Sequence, residues 1–128
     1  MKICINFRDE LHILDLDKVA CFQAEGNYTN VLYISGQKQT LSIGISKMEQ
    51  VIKQAYPKGV RSPFVRLGRS VIINQAYLMS INLPKQRLTL ADYARHGYTL
   101  TVPKQLLKNY KEVIKTLYQK DEKNSNRT

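Results

Sequence analysis

The chain has 128 residues, 43% of them apolar and 23% charged, enough for one domain with its own hydrophobic core. No window approaches the roughly 18 apolar residues of a membrane span, and Met1-Lys2-Ile3-Cys4-Ile5-Asn6-Phe7 meets Arg8-Asp9-Glu10 too early for a signal peptide. These features lead us to expect a cytoplasmic protein with no membrane partner, and the net charge of +10 points to a polyanion instead.

Lys2–Phe7 alternates, with Ile3, Ile5 and Phe7 on one side, as a half-buried strand does. Arg8-Asp9-Glu10 then turns into a partner strand over Leu11–Leu16. Lys18–Ala24 is a mostly apolar strand, expected to lie centrally. Glu25-Gly26-Asn27 has turn chemistry, since Gly and Asn tolerate positive φ. Tyr28–Ile34 and Lys38–Ile43 are strands on either side of a second turn at Ser35-Gly36-Gln37, which makes a β-meander. Ile45, Met48, Val51 and Ile52 then recur at helical spacing. Ser46 with Glu49 fits an S-x-x-E capping box, so the helix is predicted from Ser46 to about Gln54, ahead of Pro57-Lys58-Gly59.

Phe64 to Asn74, FVRLGRSVIIN, has apolar, β-branched ends around two arginines, a glycine and a serine. It reads as strand–turn–strand bent at Gly68. Gln75–Asn82 continues in extended form, Leu83-Pro84-Lys85 turns, and Gln86–Leu90 alternates with Leu88 and Leu90 on one face. Asp92–Gly97 is a polar connection to a last strand, Tyr98–Val102. Pro103 suits the first residue of a helix. From Lys104 to about 118 an apolar stripe of Leu106/Leu107, Tyr110, Val113/Ile114 and Leu117/Tyr118 alternates with Lys104, Lys108, Lys111 and Lys115. The domain is therefore placed at 1–119, followed by a polar, unpatterned tail at 120–128 that is expected to be disordered.

The charge is sorted along the chain. Residues 1–57 balance, with six basic and six acidic side chains. Residues 58–111 hold ten basic ones (Lys58, Arg61, Arg66, Arg69, Lys85, Arg87, Arg95, Lys104, Lys108 and Lys111) against Asp92 alone. Such sorting favours nucleic acid over a membrane surface, since no basic amphipathic anchor accompanies it.

Catalysis finds no footing. There is no Gly-x-Ser-x-Gly, no Walker loop and no His-Glu-x-x-His. Asp15 and Asp17 flank a turn in the neutral half, and Ser70 has no histidine near it in sequence, so its hydroxyl suits a turn or a phosphate better than nucleophilic attack. Cys4 and Cys21 form no CxxC pair and lie in apolar runs, where both are expected to be buried hydrophobes. Neither pairs with His12 or His96 at metal-ligand spacing. No metal, cofactor or catalytic residue is assigned. For nucleic acid there is no helix-turn-helix, so recognition falls to turns and strand ends.

Four segments resemble the LytTR DNA-binding domain of bacterial transcription regulators. KVACFQAEGNYTNV (18–31) is similar to the strand entering its E-x-x-Y turn, Ser46–Ile52 to its short central helix, and LTVPKQL (100–106) to its closing strand and helix start. FVRLGRSVIIN resembles its F-x-R-x-H-R-S-x-x-V-N signature. The resemblance spans about residues 3–118 and implies an elongated, mainly β arrangement of small antiparallel sheets. One short central helix and a C-terminal helix complete it, and loops enter the major groove. Carried over, it nominates Asn27, Tyr28, Thr29 and Asn30 in the first turn, with Thr29 and Asn30 favoured because Tyr28 is a core candidate. In the second turn it nominates Arg66, Gly68, Arg69 and Ser70, and beyond them Lys104. Two departures stand out. Gly68 replaces the usual histidine, and Pro103-Lys104 replaces Ser-Arg, exchanging a bidentate fork for a point charge. With the β pattern starting at residue 3, no receiver module is expected, so the regulating signal would come from a separate partner or the domain acts without one.

The reading is sequence-specific binding of double-stranded DNA in transcription regulation, with a second copy on paired sites. The alternative is a protein-interaction module of the same fold whose DNA binding has lapsed or become non-specific. Single-strand binding through the tyrosines is a third reading.

Overall fold

A computed structural model describes the backbone of residues 1–125 and the side chains through Gln119. Ten strands and two helices follow in order: β1 (Lys2–Phe7), β2 (Glu10–Asp15), β3 (Val19–Glu25), β4 (Tyr28–Tyr33), β5 (Lys38–Leu41), α1 (Ile45–Ala55), β6 (Phe64–Leu67), β7 (Val71–Asn74), β8 (Leu78–Asn82), β9 (Arg87–Ala91), β10 (Gly97–Thr101) and α2 (Lys104–Ser125). They form three antiparallel sheets: the β1–β2 hairpin, a five-stranded sheet ordered β5-β4-β3-β7-β6, and a three-stranded sheet ordered β10-β9-β8. The fold is mainly β with two helices, as expected.

The five-stranded sheet is covered on both faces, and this governs its sequence. Phe22, Val31, Leu41 and Ile72 face one core, with Ile5 and Leu14 of the hairpin and Met48 and Ile52 of α1. Cys21 and Ile73 face the other, with Leu88, Leu90 and Leu100 of the three-stranded sheet and Leu107 and Tyr110 of α2. A strand buried on both faces reads as a continuous apolar run, hence Val19-Ala20-Cys21-Phe22, all fully buried. Burial pushes the Cys21 thiol up to about 12, so this sulfur stays a protonated hydrophobe.

Several local expectations are corrected. The capping box does not form. α1 starts at Ile45 with Gly44 as its cap and no side-chain cap bond, because Ser46 and Glu49 are engaged by Arg66 instead. The segment after Asn74 is not extended throughout. Gln75–Tyr77 makes one 3-10 turn, set by the Asn74 side chain accepting from the Ala76 amide at 3.0 Å. Pro103 stands just ahead of α2, its carbonyl accepting from the Leu107 amide at 3.0 Å. Cys4 is exposed, because the alternation that turns Ile3, Ile5 and Phe7 inward turns it out. The stripe on α2 is only partly docked. Leu107 and Tyr110 are buried, whereas Leu106, Val113 and Tyr118 remain exposed. α2 also runs on to Ser125 rather than ending near 118. The remaining tail residues, 126–128, and the tail side chains lie outside the described residues.

Candidate nucleic-acid interface

Strand register brings the predicted segments to one end of the molecule. β3 and β7 are antiparallel with Gln23 opposite Val71, and the Ala24 amide donates to the Ser70 carbonyl at 2.8 Å. The β3–β4 turn around Gly26 and Asn27 therefore lies beside the β6–β7 turn around Gly68 and Arg69. A cleft of about 310 Å³ separates that second turn from the start of α2, lined by Gln23, Gly68, Arg69, Thr101, Pro103 and Leu106 among others. Asn27, the second turn and Lys104 thus share one end.

Arg66 builds the second turn. Its Nε donates to the Gly68 carbonyl at 3.0 Å and its Nη2 to the Arg69 carbonyl at 3.2 Å. Nη1 donates to Ser46 Oγ at 3.1 Å and to Glu49 Oε1 at 3.0 Å. One guanidinium folds the turn and ties it to α1, so Arg66 is half-buried and engaged rather than free at the tip. Gly68 has φ +73°, and a Cβ there would stand 2.9 Å from Leu106 Cδ1. Arg69 and Ser70 are exposed at the tip. Among the described residues the Arg69 side chain makes no hydrogen bond or ion pair, which leaves its fork open to solvent.

The first turn reverses the expected ranking. Thr29 is fully buried, and its Oγ1 donates to the Ile43 carbonyl at 2.8 Å. Asn30 is also buried, donating to Glu25 Oε2 at 2.7 Å and accepting from Thr40 Oγ1 at 2.8 Å. Tyr28, expected in the core, is 51% exposed. It pairs with Glu25 at the last rung of the hairpin, beyond the layers that cover the sheet. Asn27 and Tyr28 border a surface hollow with Arg8 and Lys47, two cations that sequence reasoning left out. Thr29→Val should cost about 1 kcal/mol of stability, the worth of one buried hydrogen bond, and leave DNA affinity of the folded protein unchanged. Urea unfolding and binding measured on the same preparation check this, and weakened binding with the fold intact would restore Thr29 as a contact.

The LytTr DNA-binding domain profile matches residues 9–115. The chain belongs to the LytTR family. Among solved structures it is similar to the LytTr DNA-binding domain of a protein described as a methyl-accepting/DNA response regulator from Bacillus cereus. That likeness has 18% identity and a TM-score of 0.60, and covers 88% of this chain and 95% of the other. At that identity it speaks for the fold alone. No curated protein matches the chain. A LytTR domain is a DNA-binding domain of transcription regulators, so DNA binding and transcription regulation are the general role of this chain. No helix among the described residues is long and apolar enough to cross a membrane.

The LytTR signature divides by structure into two kinds of residue. Phe64, Arg66, Ile73 and Asn74 build, Ile73 fully buried. Phe64 packs on Phe22 with ring centroids 5.6 Å apart. Asn74 is buried and donates Nδ2–H to the Val19 carbonyl at 2.9 Å, bonding β7 across to the start of β3. Arg69 and Ser70 face solvent. The signature is mostly scaffold for the two residues at its tip.

Proposed function

We propose that this LytTR domain binds duplex DNA sequence-specifically, with Arg69 and Ser70 reading the major groove from the β6–β7 turn. Asn27 and Tyr28 bear on the neighbouring stretch, and Lys104 holds the backbone from the start of α2. Gly68 gives the tip its sharp bend, and Arg66, Thr29 and Asn30 hold the turns without touching DNA. Two copies act on paired sites in the cytoplasm, with the controlling signal supplied by a separate partner. The observation that carries the reading is the free guanidinium of Arg69 on a turn whose backbone Arg66 fixes. A preorganised fork suits bidentate pairing with guanine O6 and N7.

Selection from a random duplex library tests it. An enriched motif is expected, and Arg69→Ala should bind that motif about tenfold more weakly while losing little on unrelated duplex, as a base contact requires. Lys104→Ala should weaken both duplexes alike and reduce the salt slope by about one. Salt-sensitive binding with no enriched motif would replace this reading with that of a non-specific or lapsed binder.

A further inference from the structure

The charge count singled out residues 58–111, but register decides which of those cations stand together. Arg87 opens β9 opposite Thr101, the last residue of β10, and Asn82 of β8 lies across from Arg87 on its other side. Directly opposed residues share a face. Leu88 and Leu100 turn to the core in the adjoining row, and Arg87 and Thr101 turn to solvent. Thr101 in turn lines the cleft beside Gly68 and Arg69. Arg87 therefore stands about one strand spacing, roughly 5 Å, from the wall of that cleft.

Lys85 belongs to the same corner. The Gln86 amide donates to the Leu83 carbonyl at 3.0 Å, and the Lys85 amide to Asn82 Oδ1 at 3.1 Å. Gln86 takes the left-handed conformation at φ +52°. Its carbonyl accepts from the Val102 amide at 3.0 Å, fastening this turn to the strand that leads into α2. Lys85 and Arg87 are both exposed and, among the described residues, have no acidic partner. The sole acid of the stretch, Asp92, lies past the far end of β9, roughly 17 Å away at the rise of a strand, and it is held by the amides of Ala94 and His96. That separation exceeds the Debye length of about 8 Å at physiological salt.

We infer that the β8–β9 turn is a fourth DNA-contacting element, in which Lys85 and Arg87 grip the phosphodiester backbone on the α2 side of the reading turn. The inference rests on the Arg69 turn facing DNA. A turn entering a major groove about 12 Å wide has phosphate walls about 6 Å to either side. Thr101 shares a cleft with that turn, and Lys85 and Arg87 lie one to two strand spacings, about 5–10 Å, from Thr101, a distance on the scale of the groove. The role is electrostatic and carries no sequence information.

The full chain with Lys85→Ala/Arg87→Ala tests this by salt titration on the selected duplex and on an unrelated duplex of equal length. The expected result is a salt slope lower by about two and about tenfold weaker binding on both duplexes. Lys85→Arg/Arg87→Lys should keep the wild-type slope, and thermal melting should match wild type because both side chains are exposed. An unchanged slope overturns the inference. So does a loss confined to the selected duplex, which would make the turn a base reader. Arg69→Ala run in parallel separates this from the reading above: if it leaves the selected duplex bound as before, the role of Arg69 fails, whatever the β8–β9 turn does.

Discussion

Arg66→Ala should lower folding stability by about 2–3 kcal/mol and weaken binding to the selected duplex at least as much as Arg69→Ala. Four hydrogen bonds leave with the guanidinium, to the carbonyls of Gly68 and Arg69, Ser46 Oγ and Glu49 Oε1. Hydrogen bonds involving a charged group contribute about 1.5–3 kcal/mol when shielded and much less when solvated. Arg66 and Glu49 are 22% and 29% exposed, between those limits. The larger consequence is geometric, since without Arg66 the tip carrying Arg69 must be ordered at the moment of binding, at an entropic cost. Arg66→Lys should rescue little, because an ammonium meets Glu49 but cannot span both carbonyls. Urea unfolding gives the stability, and titration below the melting range gives the affinity. A variant that unfolds and binds like wild type would show that the turn holds itself.

Gly68→His, which restores the residue common in the family, should destabilise this chain by about 2–3 kcal/mol. A non-glycine residue at φ +73° costs about 1–2 kcal/mol, and its Cβ meets Leu106 Cδ1 at 2.9 Å. The leucine can move, but only by giving up contact with the turn. Gly68→Ala isolates the shared backbone and Cβ cost. Combining Gly68→His with Leu106→Ala should recover about 1 kcal/mol relative to the sum of the single changes, a coupling expected of residues in contact. Strict additivity in denaturant unfolding would show that Leu106 is no part of the penalty. Coupling of that size would make Gly68 and Leu106 a matched pair, with the residue at 68 set by how α2 meets the turn.

How much of this was legible beforehand depended on how far a side chain reaches. The strands, the bend at Gly68 and the central place of Val19–Ala24 follow from short-range pattern, and the structure has them. The burial of Thr29 and Asn30 and the exposure of Tyr28 were not legible, because alternation says little on a sheet buried on both faces. What exposes Tyr28 is its position at the last rung. Ser46 and Glu49 fit a capping box, a local rule, yet a residue 17 to 20 positions away claims both. Arg66 and Arg69 look alike in sequence, and only their partners separate them. The charge tally marked out residues 58–111 but could not say that Lys85 and Arg87 stand at one corner, since that depends on register. The solvated flank of α2 was hidden because a stripe does not say how wide its seat is.

The two cores share β3, and this sets an order of opening. Its amides cannot exchange with solvent unless the hairpin side and the α2 side of the sheet both come apart, so they belong to the slowest class, while the two-stranded β1–β2 hairpin can open more readily. Both turns proposed to read DNA grow from that slow centre, one directly from the end of β3 and one through β7, its bonded neighbour. If those turns read DNA, the edge that carries them is mounted on the least mobile part of the molecule, which would leave little of its shape to be ordered on binding.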